Sequence, residues 1–223
     1  MSTRARILAA LLAIAIALLW AMPRPQATSI WEPAFQAFEE QDRNGGLTSG
    51  GVLFIGSSTI RLWDLDAAFP TLETVNRGFG GSQFSDAAEA LDRIVVPHRP
   101  RTVVLYAGDN DIAHYGKLTR DVVADFHAFD DALTHALPET ELIVLSIKPS
   151  PARWAYQPFM EVTNAKIASY CNDAPRRTYV DLVAPMLTPL GEPNSALYAS
   201  DGIHLSAEGY ALWTETLRPL LTP

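Results

Sequence analysis

The sequence predicts an α/β fold built on a parallel sheet, and two observations support that prediction. Short apolar runs typical of buried strands alternate along the chain with longer stretches whose apolar residues recur at helical spacing. Apolar strands that alternate with amphipathic helices form parallel sheets covered by helices on both faces. The 223 residues suffice for one such domain, and the hydrophobic fraction of 48% is enough for a sizeable core.

Five strands and four main helices are predicted in chain order. The strands lie at residues 52–55, 74–76, 102–106, 141–147 and 178–181. The helices lie at residues 85–96, 121–137, 160–170 and 207–221, with a shorter helix near residues 34–41. The second main helix has the clearest ends, because Thr119 is a candidate N-cap and Pro138 terminates it. Ser206 is the candidate cap of the last helix.

The N-terminus predicts export of the domain. Arg4 and Arg6 precede residues 7–22, which carry no charge. That length lies between a signal-peptide core and a membrane span of about 20 residues, so the segment is either a cleaved signal or a retained anchor in contact with the membrane. Arginines before such a segment stay in the cytoplasm, which sends the domain to the extracytoplasmic, for example periplasmic, side. The chain therefore divides into a signal or anchor, a linker that leads into the domain, and the α/β domain, at residues 1–27, 28–50 and 51–223.

Composition argues against some partners. The formal net charge is −8, whereas a nucleic-acid-binding domain normally presents a basic face, so nucleic acid is not expected as a partner. Cys171 is the only cysteine, which rules out an intrachain disulfide. Its place at the end of the predicted helix 160–170, with no histidine near it in the sequence, indicates a buried structural thiol.

Two short motifs at opposite ends of the domain carry residues suited to nucleophilic catalysis. Gly56-Ser57-Ser58 follows the first strand and leads into a helical turn. Asp201-Gly202-Ile203-His204 lies in a loop just before the last helix. A serine hydroxyl needs a base to take its proton, and the base needs a partner that orients it. Candidates for these three roles are Ser58, His204 and Asp201.

Two further motifs lie between these in the chain, each after a predicted strand. Gly78-Phe79-Gly80-Gly81-Ser82 follows the second strand, and Gly108-Asp109-Asn110-Asp111 follows the third. In open α/β sheets ligands bind outside the carboxyl ends of the strands, so parallel strands would bring all these motifs to one edge. Glycine amides and asparagine side-chain amides are the donor types that an oxyanion hole requires.

On these four motifs the chain resembles the SGNH hydrolase superfamily, whose members are also called GDSL-like lipases and acylhydrolases. The superfamily is named for a Ser, a Gly, an Asn and a His in four separate blocks. The matching residues, in the same order, are Ser58, Gly81, Asn110 and His204. The resemblance covers roughly residues 51–221. It departs at Ser57, where the family usually has Asp, and at Ser82, where Asp often follows the glycine.

The resemblance implies a three-layer α/β/α, flavodoxin-like fold with a five-stranded parallel sheet, and residues 51–223 as an SGNH-type hydrolase domain. It implies a serine esterase that forms an acyl-enzyme on Ser58, with His204 as the base and Asp201 as its orienting acid. The oxyanion is expected against Asn110 Nδ2 and the backbone amides of Gly81 and Ser58. No cofactor or metal is expected. The expected substrates are carboxylic esters of small molecules, glycans or lipids, with short acyl groups.

Two other functions remain open. The same site would serve a deacetylase of cell-envelope or plant polysaccharide. A membrane-tethered binding domain that keeps the fold without turnover is the non-enzymatic alternative. Within the site, Asp109 is expected to be dispensable for activity, because an ionised carboxylate cannot donate a hydrogen bond to an oxyanion.

Several candidate residues also have a purely structural interpretation. Asp201 with Gly202 is a common turn pair, and Gly81 is suited to a positive φ angle. The Asp109 to Asp111 stretch lacks the further oxygen ligands and the sixth-position glycine of a calcium loop. For the four other histidines we expect structural roles: His98, His114, His127 and His135. Two tryptophans are candidate walls of a substrate pocket, although such residues more often pack a core: Trp63 and Trp154.

Overall fold

The structure of the protein, a computed structural model, describes residues 29–45 and 49–221. The predicted signal or anchor, residues 1–27, lies outside the described residues. Internal contacts divide the chain into two units, Met1–Glu32 and Pro33–Pro223. In the described part of the first unit, the Glu32 amide donates a 2.9 Å hydrogen bond to the Ser29 carbonyl.

Five parallel strands form one sheet in the second unit, which confirms the predicted fold class. The strands are β1 (Val52–Gly56), β2 (Thr74–Gly78), β3 (Thr102–Tyr106), β4 (Glu141–Leu145) and β5 (Arg177–Val180). Their order in the sheet is β2-β1-β3-β4-β5, and every neighbouring pair is parallel. All residues of β1 and β3 are buried, which explains why these strands are continuous apolar runs in the sequence.

Every predicted helix is present, and further short ones join them in the described residues. The helices are α1 (Glu32–Gly45), α2 (Ser58–Arg61), α3 (Leu65–Ala68), α4 (Phe84–Ile94), α5 (Asp109–Ala113), α6 (Thr119–Ala136), α7 (Gln157–Asp173) and α8 (Ala207–Leu221). Short 3-10 helices lie at Val96–His98, Pro151–Tyr156, Ala184–Met186 and Ser195–Leu197.

Helices cover both faces of the sheet. Successive strand residues point to opposite faces, so one face presents Phe54 and Tyr106. These residues pack in one core with Trp213 and Leu217 of α8. Helices α4, α6 and α7 cover the other face. There α6 packs against α4 on one side and against α7 on the other. The three-layer arrangement implied by the resemblance is therefore confirmed.

Three predicted element ends can be compared with the structure. Strand β4 ends at Leu145, two residues before the predicted end at residue 147. The backbone of Ile147 is hydrogen-bonded to the Asn164 side chain instead of to a neighbouring strand: its amide donates to Oδ1 at 2.9 Å and its carbonyl accepts from Nδ2 at 3.0 Å. Thr119 is the first residue of α6 and not its N-cap, and its Oγ1 lies 3.2 Å from Thr163 Oγ1 on α7. Ser206 does cap α8, because its Oγ accepts from the Gly209 amide at 3.2 Å.

The sheet changes winding direction between β1 and β3. From β1 the chain first moves outward to β2, and it then returns to the other side of β1 to form β3, β4 and β5. The crevice outside the carboxyl ends of two such strands is where open α/β sheets bind ligands. Ser58 follows β1 and Asn110 follows β3, so both lie at this crevice.

Candidate active site

Ser58 is placed by a close approach between the ends of β1 and β3. Gly56 ends β1 with a φ of +144°, and a Cβ there would lie 1.8 Å from the Tyr106 carbonyl oxygen. Only glycine fits this position. The next amide, from Ser57, donates to the same carbonyl at 3.1 Å. The chain then turns into α2, with Ser58 as its first residue.

Ser58, His204 and Asp201 form one hydrogen-bonded chain. Ser58 Oγ lies 2.9 Å from His204 Nε2, and His204 Nδ1 lies 2.6 Å from Asp201 Oδ2. An ionised carboxylate only accepts hydrogen bonds, so Nδ1 carries the proton that is donated to Asp201. In the neutral ring Nε2 is then the acceptor for the Ser58 hydroxyl. The structure thus brings together the three residues that the sequence proposed as a triad.

Asp201 uses its two carboxylate oxygens for different purposes. Oδ2 binds the His204 ring, whereas Oδ1 accepts the backbone amides of Ile203 and His204, each at 2.9 Å. Gly202 between them has a φ of +65°. The hydrogen bond from the ring, followed by those from the two amides, lowers the pKa of Asp201 to about 2. The geometry of Asp201 is therefore compatible with the turn interpretation and with the triad interpretation at the same time.

Gly81 and Asn110, which belong to separate motifs, lie on neighbouring segments. Asn110 is the second residue of α5 and is 6% exposed. Its Nδ2 donates to the backbone carbonyl of Ser82 at 3.1 Å. This hydrogen bond joins the motif that contains Asn110 to the glycine motif that contains Gly81. Gly81 has a φ of +81°, and a Cβ there would meet no atom within 4 Å. The chain is thus open to solvent or substrate at Gly81.

A buried charged cluster that the sequence did not reveal lies beside Asn110. Asp109 is 2% exposed and Lys148 is 0% exposed, and Lys148 Nζ lies 3.1 Å from Asp109 Oδ2. Lys148 also donates to Tyr106 Oη at 2.9 Å and to Thr59 Oγ1 at 3.3 Å. Arg153 adds a second cation, with Nη1 at 2.9 Å from Asp109 Oδ2 and Nη2 donating to Asn110 Oδ1 at 3.0 Å.

Burial and charge oppose each other within this cluster. Burial alone raises the pKa of Asp109, but the charges of Lys148 and Arg153 outweigh it and hold that pKa below the ordinary value. Burial lowers the pKa of Lys148 in spite of its carboxylate partner. Removal of the Asp109 carboxylate would leave the buried Lys148 ammonium beside a second cation, Arg153, without its counter-charge, so we expect it to cost stability. That Asp109 is dispensable for activity stays a prediction. A lysine directly after an apolar strand run was the one sequence signal for this cluster.

Comparison with known protein families decides the classification. A sequence model of the GDSL-like Lipase/Acylhydrolase family matches residues 61–212. The chain belongs to this family. The matched stretch begins just after Ser58 and contains Gly81, Asn110 and His204. Membership makes the chain a hydrolase of the esterase and acylhydrolase type.

Solved structures confirm the fold of this acylhydrolase. A protein from Streptococcus pneumonia, named as a platelet activating factor, superposes with a TM-score of 0.76 at 24% identity over 94% of this chain and 99% of that chain. A GDSL-like lipase from Bacteroides thetaiotaomicron gives 0.70 at 19% identity, over 84% and 98% of the two chains. A variant of an acetyl-xylooligosaccharide esterase from Geobacillus Stearmophilus gives 0.62 at 18% identity, over 79% and 97%. A comparison with curated protein sequences found no significant match.

The two tryptophan candidates have different surroundings in this family member. Trp63 is 3% exposed, and its ring packs in the core at 5.5 to 5.8 Å from the rings of Phe54, Phe69, Tyr210 and Trp213. This packing fits the core interpretation of Trp63, and its place in the pocket wall stays a prediction. Trp154 is half-buried in the 3-10 helix beside Arg153, and its role in the pocket stays a prediction.

The four remaining histidines and the cysteine differ in their surroundings. His98 is buried, with Nε2 at 2.9 Å from Arg77 Nη2 and 3.3 Å from Asp42 Oδ2. Its acidic neighbour lies on α1, which sequence spacing could not reveal. His127 packs edge-on against a tyrosine, whereas His114 and His135 are exposed. Burial raises the pKa of the Cys171 thiol to about 11, which fits a structural cysteine.

The described residues, 29–45 and 49–221, contain no group of three or more His, Cys, Asp or Glu side chains that is arranged to hold a metal ion. Among the helices in that part of the chain, none is both long and apolar enough to span a membrane.

Proposed function

We propose that this acylhydrolase is a serine esterase that cleaves short-acyl carboxylic esters through an acyl-enzyme on Ser58. The observation that supports the proposal is the chain of hydrogen bonds from Ser58 through His204 to Asp201, at 2.9 and 2.6 Å. These distances fall within the range required of a nucleophile, its base and an orienting acid. The chain ends at a carboxylate with a pKa of about 2, which stays ionised at neutral pH.

Catalysis follows from this geometry in two steps. Ser58 Oγ adds to the ester carbonyl carbon while its proton moves to His204 Nε2, and collapse of the tetrahedral intermediate expels the alcohol with that proton. A water molecule then adds to the acyl-enzyme carbonyl as His204 takes its proton, and the carboxylic acid leaves Ser58 with its hydroxyl restored. Asp201 holds the ring tautomer and stabilises the imidazolium in both steps.

The negative oxygen of each tetrahedral intermediate needs hydrogen-bond donors. We assign this role to Asn110 Nδ2 and to the backbone amides of Gly81 and Ser58. Ser58 is the first residue of α2, where a backbone amide has no partner within the helix. Asn110 is held in place by both Ser82 and Arg153, so its donor needs little reorganisation during the reaction.

A fluorophosphonate probe tests the identity of the nucleophile. We expect mass spectrometry to find the label on Ser58, and we expect Ser58→Ala to lose both labelling and hydrolysis of p-nitrophenyl acetate. Ser57→Ala and Ser82→Ala are matched controls, because both hydroxyls are buried in neighbouring motifs, and each variant should keep substantial activity. Label on either control serine would overturn the assignment. Equal turnover by the wild type and Ser58→Ala would favour a binding domain without catalysis.

Acyl preference is tested by p-nitrophenyl esters from acetate to palmitate. Arg153, whose side chain is 14% exposed, puts a charged group beside Asn110 and disfavours a long alkyl chain there. We therefore expect kcat/KM to be highest for acetate and to fall as the chain lengthens. A maximum at eight carbons or more would contradict the short-acyl proposal.

Deacetylation of a polysaccharide is the second candidate reaction of the same site. The side chains of His204 and Asp201 are 30% and 45% exposed, so a bulky alcohol half has room to approach the triad. Acetate release from acetylated xylan and from O-acetylated peptidoglycan, measured beside p-nitrophenyl acetate hydrolysis, separates the two reactions. Efficient release from a polymer would make deacetylation the better description.

We also propose that the domain faces out of the cytoplasm, on the basis of Arg4, Arg6 and the uncharged residues 7–22. A phosphatase that is active only after export, fused behind Pro223, should be active in cells. As a control, the fusion without residues 1–27 should be inactive. Phosphatase activity that does not depend on those residues would contradict export by this segment.

A further inference from the structure

Arg153 occupies a fixed place between two loops of the site. It lies in the 3-10 helix Pro151–Tyr156, which follows β4, and its amide donates to the Ser150 carbonyl at 3.0 Å. The preceding amide, from Ala152, donates to the Gly202 carbonyl at 3.1 Å, which ties this helix to the loop that carries the acid and the base. The Arg153 side chain is only 14% exposed.

Both ends of the guanidinium fork are engaged. Nη1 lies 2.9 Å from Asp109 Oδ2 in an ionic contact, and Nη2 donates to Asn110 Oδ1 at 3.0 Å. Asp109 is in turn held by Lys148 at 3.1 Å. Arg153 is therefore anchored by a buried carboxylate while it contacts the amide of the adjacent residue.

These contacts dictate which way the Asn110 amide points. A guanidinium has no acceptor, so the atom that faces Arg153 must be Oδ1. A backbone carbonyl has no donor, so the atom that faces Ser82 must be Nδ2, at 3.1 Å. Rotation of the amide by 180° would set donors against Arg153 and oxygen against oxygen at Ser82. The same rotation would replace Nδ2 by a carbonyl oxygen at the place proposed for the oxyanion.

We propose that Arg153 is a positioning residue that holds the Asn110 side-chain amide with Nδ2 directed toward the reacting oxygen. The inference rests on the proposed function, because it assumes that Asn110 is an oxyanion donor. In this proposal Arg153 acts through Asn110, since Nη2 donates to Asn110 Oδ1 and Nη1 lies buried against Asp109.

A double-mutant cycle tests this role. Arg153→Met, Asn110→Ala and the double variant are assayed with p-nitrophenyl acetate, and kcat is expressed per site titrated by the fluorophosphonate. Arg153→Met alone should lower kcat at least about tenfold, a part of what the loss of one oxyanion donor costs, and should change KM less than about twofold. In the Asn110→Ala background, Arg153→Met should change kcat per titrated site by less than about twofold.

Arg177→Met is the matched control, because Arg177 is also buried and paired with an aspartate, Asp130 on α6. It should lower the melting temperature without changing kcat per titrated site. If Arg153→Met does not fold, Arg153→Lys takes its place in the cycle, since one ammonium cannot reproduce the two-pronged contact.

Two results would overturn the proposal. One is unchanged kcat per titrated site in the Arg153 variant. The other is an Arg153 effect that persists in full without Asn110, or that falls mainly on KM, since either would indicate direct contact with the substrate. Failure of the proposed function itself is distinguishable, because the wild type would then show no fluorophosphonate labelling at Ser58.

Discussion

Lys148 Nζ and Asp109 Oδ2 form a buried ion pair at 3.1 Å that joins the chain after β4 to the first residue of α5. The same ammonium donates to Thr59 Oγ1, next to the proposed nucleophile. Separate loops of the site thus share one buried charge. Because an ion that loses its partner inside a protein is costly, the pair makes the architecture of the site sensitive to single substitutions.

Lys148→Met should destabilise the protein by about 3–5 kcal/mol, because it leaves Asp109 buried with only the partly exposed Arg153. Urea unfolding followed by circular dichroism measures this change. Asp109→Asn should also destabilise the protein, and the double variant should lose less stability than the sum of the two single losses. Additive losses would show that the two side chains do not stabilise each other.

Asn110→Ala should lower kcat by roughly 10²–10³ with a much smaller change in KM, because an oxyanion donor acts on charge that develops in the transition state. Expressing kcat per fluorophosphonate-titrated site removes any effect of partial unfolding. Asn164→Ala is the control, since Asn164 is equally buried but binds the backbone of Ile147. It should reduce stability and leave kcat per site unchanged. An unaltered kcat in Asn110→Ala would remove that residue from the oxyanion hole.

Asp201→Asn should lower kcat by two orders of magnitude or more, because an amide no longer fixes the productive ring tautomer. It should also give a pH-dependent loss of stability. A carboxyl whose folded-state pKa lies below its unfolded value stabilises the fold above the unfolded pKa, and this stabilisation disappears as the pH falls through the folded pKa. The folded-state pKa of Asp201 is about 2. The difference in melting temperature between wild type and variant should therefore be constant above about pH 5 and should shrink as the pH falls toward about 2. A gap that widens on acidification would contradict the assignment.

Gly56→Ala should destabilise the protein by about 3 kcal/mol or more, because its Cβ would lie 1.8 Å from the Tyr106 carbonyl oxygen. Gly81→Ala provides the comparison. It also has a positive φ, but its Cβ would meet no atom within 4 Å, so backbone strain alone should cost about 1–2 kcal/mol. Thermal melts of the two variants distinguish steric clash from strain, and equal losses would argue against the close approach of β1 and β3.

Features encoded by nearby residues could be predicted from the sequence. Buried parallel strands appear as apolar runs, and α8 has the predicted bounds because a serine cap precedes a clear helical pattern. The Asp201 and His204 pair also belongs to this class, since three residues of chain determine its geometry.

Features that depend on contacts between distant segments could not be predicted. The Lys148 partners come from the ends of β1 and β3, and nothing in the local sequence announces them. The contact of Arg153 with Asn110 joins residues that are 43 positions apart. The core packing of Trp63 is a further example, because its aromatic neighbours include two residues of α8.

Asp201 and His204 lie three residues apart, whereas Ser58 lies 146 positions from His204. One short loop therefore carries two of the three residues of the proposed triad, and the third comes from the opposite end of the domain. With Ser58 as the proposed nucleophile, hydrolysis requires that both ends of the domain be folded against each other. An ester-hydrolysis assay would then report on the intact tertiary structure as well as on the site.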